Sequence, residues 1–134
     1  MIIPANSVEV LSGKIPSDTL SQMARTAMTM LQSGDYRAFA ETYGYALGFD
    51  RDSALALRDD LNQTLSEVNI DAAMFNHGHP IIEVQHFEAN DLNIHSAVAC
   101  KIATESGSGV LVEFIVSGKG LVRHFGLEQI SAAV

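Results

Sequence analysis

The sequence is poor in several residue types, and each shortage argues against a class of protein. Its 134 residues include no tryptophan, one cysteine, and eight lysines or arginines against sixteen acidic residues, for a net charge of −8. A single cysteine excludes an internal disulfide and fits a reducing compartment. Basic clusters are also absent, so we expect neither nucleic acid nor a membrane as a partner.

Long apolar runs are missing as well. No stretch approaches the roughly 18 apolar residues that a membrane-spanning helix needs. The start, residues 1–6, has neither the basic region nor the apolar run of a signal peptide. We therefore expect a cytoplasmic protein, although a secreted chain whose leader had been removed would look the same. With 47% apolar and 18% charged residues, the chain should form a single domain over residues 1–134.

The hydrophobic period changes once, near Pro80. Before it, apolar residues recur every three to four positions, which predicts three helices over about residues 16–75. Ser17, Asp35, and Asp50 or Asp52 are the expected helix caps. The connector over 69–79 should hold at most one helical turn. The predicted fold class is α+β, with three N-terminal helices on one face of a four-to-five-stranded antiparallel sheet over about residues 81–130.

After Pro80 apolar residues alternate, which predicts strands. We place them at about 81–88, 94–104, 110–117 and 121–128, with a further short strand or extended arm at 8–11. A tight turn at Gly118-Lys119 would pair Val116 with Leu121 and Phe114 with Arg123. Antiparallel partners share a face, so one face collects large apolar residues and should be the core face. The residues assigned to it are Val110, Val112, Phe114, Val116, Leu121, Arg123, Phe125 and Leu127.

The Ser-Gly turn at 106–109 extends this register by pairing Thr104 with Val110. Ile102, Cys100, Val98 and Ser96 then join the core face. In the first of these strands we prefer Ile82, Val84 and His86 pointing inward, because the opposite choice would bury Glu83 and Gln85.

The opposite face is half apolar and flat, which often marks a subunit interface. It is crossed by a predicted row of Lys101, Glu113 and His124. We expect a homodimer through this face, and the residues chosen for the interface are Ala97, Ala99, Lys101, Glu113, Ile115 and His124.

His86 and Arg123 interrupt the core face and are the best candidates for catalytic residues. If they converge in an apolar pocket, they could bind a small organic ligand with a carboxylate or carbonyl group, with His86 as a general base. The commoner alternative places both at open strand ends with their polar groups in water. The residues assigned to this pocket are Tyr43, Tyr45, His86, Ser96, Phe114 and Arg123.

Other candidate chemistry is weaker. His77 and His79 offer two metal ligands without a third, whereas zinc sites need three or four, so we expect a plain loop and no metal. Cys100 is interpreted as a small core residue. No glycine-rich phosphate loop or nucleophile motif is present, and we expect no cofactor.

Two segments resemble a known family. Ser33-Gly34-Asp35-Tyr36-Arg37-Ala38-Phe39 is similar to the entry into the second helix of the nuclear transport factor 2-like (cystatin-like cone) superfamily. Residues 118–125, Gly-Lys-Gly-Leu-Val-Arg-His-Phe, are similar to its final hairpin, although Gly120 stands where the family has an aromatic residue. The resemblance implies a curved, conical sheet, a pocket between sheet and helices, and commonly a sheet-mediated dimer.

Three functions follow as hypotheses. The first is a dimeric module that binds a small molecule in the sheet–helix pocket. The second is an isomerase or dehydratase-type enzyme that uses His86 and Arg123; the resemblance includes such enzymes, but none of their catalytic residues match positions here. The third is a non-catalytic assembly domain with a filled core. A cavity above roughly 300 Å³ would distinguish the first two from the third.

Overall fold

Helices precede the main strands, and the predicted α+β class is confirmed. The computed structural model describes residues 7–9, 15–44, 52–104, 107–119 and 122–133. The helices are α1 Ser17–Gln32, α2 Tyr36–Tyr43, α3 Ser53–Glu67 and α4 Ala72–His77. The strands are β1 Ser7–Glu9, β2 Ile81–His86, β3 Ile94–Ala103, β4 Gly109–Ser117 and β5 Val122–Ala133. They form one antiparallel sheet in the order β1-β5-β4-β3-β2.

Two of the three predicted helix caps are confirmed. The carboxylate of Asp35 accepts from the backbone N–H of Ala38, and that of Asp52 accepts from Leu55 at 3.1 Å, as N-caps do. Asp50 lies outside the described residues. The Ser17 prediction was wrong, because α1 is preceded by Pro16 and has no side-chain cap. Ser17 is the first helical residue, and its hydroxyl bonds elsewhere.

Four helices are described where three were expected, because the connector after α3 contains α4. Asp71 caps it by accepting from the N–H of Met74 at 2.8 Å, and Phe75 anchors it with no exposed surface. The Gln32 amide, at the end of α1, donates to the carbonyls of Phe75 and Gly78 at 2.7 and 2.8 Å. These bonds supply donors at the C-terminal end of α4, where the Phe75 carbonyl also accepts from the N–H of Gly78.

Up to a bulge in β5, the strand pairing differs from the prediction by even numbers of residues. Val116 lies opposite Phe125 rather than Leu121, which is outside the described residues, because the connection between β4 and β5 is longer than a tight turn. Between β3 and β4 the shift is two residues, so that Lys101 lies opposite Leu111. Since side chains alternate with a period of two, even shifts leave the described residues before the bulge on their predicted faces.

A bulge in β5 changes this alternation. Phe114 pairs with Leu127 and Glu113 with Gln129, so Glu128 is the extra residue. Beyond the bulge, Ile130 lies opposite the buried Val112, and the strand runs on to Ala133, past its predicted end.

The core lies between the helices and one face of the sheet, which is the predicted core face. Its strand residues are at most 8% exposed: Val98, Cys100, Ile102, Val110, Val112, Phe114, Val116, Phe125 and Leu127. They form one cluster with apolar residues from all four helices.

Candidate functional site

His86 lies at the end of the edge strand β2, where it contacts two serines from different elements. Its Nδ1 is 2.7 Å from Oγ of Ser96 on β3, and its Nε2 is 2.9 Å from Oγ of Ser17 at the start of α1. Ser96 is fully buried, whereas Ser17 and His86 are exposed. The predicted inward direction of His86 agrees with its pairing opposite Ser96.

This cluster has one feature of a catalytic pair and lacks others. With its proton on Nδ1, neutral His86 can accept a proton from the Ser17 hydroxyl at Nε2, as a general base does. The group that orients the imidazole is, however, the neutral hydroxyl of Ser96 rather than a carboxylate. The geometry is that of a link between α1 and the edge of the sheet.

Arg123 does not join His86. It lies on β5 opposite Val8 of β1, and β4 and β3 stand between it and β2. Three strand spacings of about 4.8 Å put the two strands about 14 Å apart. Arg123 also lies two residues along β5 from Phe125, which is the β5 residue in the row of His86. The two candidate catalytic residues therefore share a face of the sheet without forming a common site.

The core between sheet and helices contains an aromatic cluster, defined here as Phe39, Tyr43, Phe114 and Phe125. The rings of Phe114 and Phe125 stack with centroids 4.7 Å apart, and Tyr43 meets each of them edge-on at 5.9 Å. Tyr43 is 8% exposed, and burial raises the pKa of its hydroxyl. Two residues assigned to the pocket, Tyr43 and Phe114, are thus packed against each other. Tyr45 lies outside the described residues.

The grooves found on the molecule lie elsewhere. Four of them, with volumes of about 160 to 380 Å³, open onto the surface. Among the described residues that line them there is no member of the aromatic cluster, and neither His86 nor Arg123. His77 and His79 are exposed at the end of α4. Within the described ranges, no three His, Cys, Asp or Glu residues are grouped to hold a metal ion.

The outer face of the sheet, opposite the helices, is the other candidate. Its side chains include four rows across β2, β3, β4 and β5. All of these residues except the buried Gly109 are partly or fully exposed, although the Tyr43 carbonyl at the end of α2 approaches Gly126 at one edge. In order along β3, the rows are Gln85-Ala97-Ile115-Gly126, Glu83-Ala99-Glu113-Gln129, Ile81-Lys101-Leu111-Ser131 and, without β2, Ala103-Gly109-Ala133. Five predicted interface residues, Ala97, Ala99, Lys101, Glu113 and Ile115, lie in these rows and are partly exposed.

The predicted charged row does not exist as such. Lys101 lies opposite Leu111, Glu113 lies between Ala99 and Gln129, and His124 is exposed opposite Ser117. The shifts in pairing cause this change: the face of each residue is retained, but its cross-strand neighbour is not. Lys101 and Glu113 remain diagonal neighbours in adjacent rows.

The same row holds a feature that sequence reasoning missed. Glu83 and Glu113 flank Ala99 from the two neighbouring strands, and the small alanine leaves a cleft of about 160 Å³ lined by both glutamates. Glu113 Oε1 is held by the Gln129 amide at 2.7 Å. Since Gln129 follows the bulge, the sequence carried no signal that would place it beside Glu113.

Among the helices that the structure describes, none has both the length and the apolar character needed to cross a membrane. Comparison with protein-family models, with curated proteins and with solved structures finds no match to this chain.

Proposed function

We propose that this protein is a non-catalytic assembly domain that forms a homodimer through the outer face of its sheet. The observation that carries the proposal is the asymmetry of the sheet. One face packs against the helices to form the core, whereas the other presents four rows of small, apolar and charged residues, nearly all of them at least partly exposed.

The composition of the outer face suits a second copy of the same chain. A twofold interface must be self-complementary, and this face carries both signs of charge, on Lys101 and on Glu83 and Glu113. Alanines at 97, 99 and 103 keep the centre flat, so another sheet can approach closely.

The filled interior favours assembly over the two alternatives. A ligand in the sheet–helix space would have to displace the aromatic cluster, in which Phe39, Phe114 and Phe125 have no exposed surface. An isomerase or dehydratase would need His86 and Arg123 on one substrate, and about 14 Å separates their strands. The resemblance to the nuclear transport factor 2-like superfamily, and the cone it implies, remain proposals; the sheet-mediated dimer common in that family agrees with ours.

Sedimentation equilibrium tests this function. The wild-type chain should show a reversible monomer–dimer equilibrium, and Ala99→Arg should be monomeric, because a long charged side chain at the centre of the face prevents close packing. Ala73→Arg, on the exposed surface of α4, is the matched control and should associate as the wild type does. A wild-type monomer at every concentration, or a folded Ala99→Arg dimer of unchanged affinity, would refute the proposal.

A further inference from the structure

The positions of the charged residues on the outer face favour one arrangement of two copies over the others. We infer that Lys101 of each copy enters the cleft between Glu83 and Glu113 of the other. This inference rests on the proposed homodimer and specifies its geometry.

Symmetry limits how the two faces can meet. Two sheets packed face to face with aligned strands are related by a twofold axis that lies in the plane between them. If the axis ran along the strands between β3 and β4, Lys101 would face Leu111 of the other copy, and Glu113 would face Ala99. No opposite charges would meet, and the carboxylate cleft would stay empty.

An axis across the strands gives a different result, which depends on its position. If the axis ran along the row of Ala99, Glu83 would face Glu83 of the other copy, and Glu113 would face Glu113 of the other copy. If the axis ran along the row of Lys101, Lys101 would face Lys101 of the other copy. Both positions bring like charges together, which opposes association. Only between these two rows does the symmetry bring Lys101 over Ala99 of the other copy, with a carboxylate on either side.

The alanines of β3 are compatible with this position. Ala97 then lies over Ala103 of the second copy, and two small residues allow the strands to approach closely. The charge pattern therefore selects the axis.

The groups that would form the contact are available for it. Among the described residues, the Lys101 ammonium donates to the carbonyl of Gly107 at 3.4 Å, a long hydrogen bond, and the side chain is partly exposed. Glu113 is oriented by Gln129 through one carboxylate oxygen, which leaves the other to accept from an incoming cation. Glu83 is exposed on the edge strand.

A charge-swap experiment tests the contact. Lys101→Glu puts three carboxylates at each contact of its homodimer, and Glu83→Lys/Glu113→Lys puts three ammonium groups there. Each variant alone should dimerise roughly tenfold or more weakly than the wild type. In a mixture of the two, one contact is native, and the other places the carboxylate introduced by Lys101→Glu between the two introduced lysines. The heterodimer should therefore recover affinity close to the wild-type value.

Controls separate this inference from the proposed function. Lys119→Glu, in the β4–β5 connection, and Glu41→Lys/Glu67→Lys, on the helices, make the same charge changes away from the contact and should dimerise normally. If the double variant does not fold, judged by circular dichroism, Glu83→Lys alone replaces it. If the wild type dimerises and Ala99→Arg does not, but Lys101→Glu leaves the affinity unchanged or the mixture shows no recovery, the contact is wrong and the dimer stands. A monomeric wild type refutes both.

Discussion

The thiol of Cys100 shows how burial sets the chemistry of a single residue. It lies on the helix side of β3 with no exposed surface, and burial raises its pKa to about 12. A thiolate is the reactive form of cysteine, so the native thiol should resist labelling at pH 8. Labelling should require unfolding.

The same shift predicts a pH dependence of stability. The pKa of a cysteine in the unfolded chain is about 8.5, below the folded value, so the unfolded state loses this proton first. The contribution of Cys100 is therefore constant below about pH 8.5 and falls as the pH rises above it, by about 2 kcal/mol at pH 10. Urea unfolding at pH 7.5 and 10 should show a larger loss for the wild type than for Cys100→Ala. Equal losses would contradict the assigned cause.

At the scale of elements, the His86 cluster links the start of α1 to the edge of the sheet. Ser17 belongs to the helix, His86 to β2 and Ser96 to β3. β2 is an edge strand that pairs only with β3, so the bond to Ser17 gives it a second attachment, to the helix on its inner face. The link also explains why Ser17 does not cap α1.

His86→Ala should lower the free energy of unfolding by about 1–2 kcal/mol, because it removes two hydrogen bonds and leaves the buried Ser96 hydroxyl without its imidazole. Ser17→Ala should cost less, since Ser17 is exposed. In a double-mutant cycle the two losses should not add, because both remove the same bond. Urea denaturation measures all three variants, with His79→Ala in the exposed connector as control. Strict additivity would mean that the Ser17–His86 bond does not form in solution.

Elements also show what the sequence could and could not predict. The alternation after Pro80 placed Val98, Cys100 and Phe114 on the correct face, because parity depends only on the period of the strand. The cross-strand partners were wrong, because the length of the β4–β5 connection is not encoded in that period. The bulge at Glu128 was missed for the same reason: an extra residue is visible only when two strands are aligned.

At the scale of the whole molecule, the candidate site likewise has features that the sequence could predict and features that it could not. Sequence parity placed His86 and Arg123 on one face, but it could not reveal that two strands separate β2 from β5, or that four aromatic rings pack together in the core. The outer face was predicted from its alanines, and its rows only became visible with the pairing. The face on which a residue lies is set by the local alternation of its strand. Whether a space is open or packed depends on how distant elements contact one another.

The size of the outer face limits the area that the proposed dimer can bury. In that dimer roughly 15 side-chain positions, spaced by about 4.8 Å between strands and 6.7 Å along them, would bury on the order of 1,000 Å² over both copies. That area is at the lower limit for a specific interface and is typical of a reversible dimer. Monomer and folded dimer should therefore coexist at micromolar concentrations.

Such an equilibrium makes thermal stability depend on protein concentration. The dimer interface exists only between folded copies, so mass action should raise the melting temperature as concentration increases through the dissociation constant. Calorimetry from a few micromolar to several hundred micromolar should show this rise for the wild type and for Ala73→Arg. The melting temperature of Ala99→Arg should stay constant, because its monomers gain nothing from concentration. A constant wild-type value would mean that the outer face stays in water, and a rise shared by Ala99→Arg would place the interface on another surface.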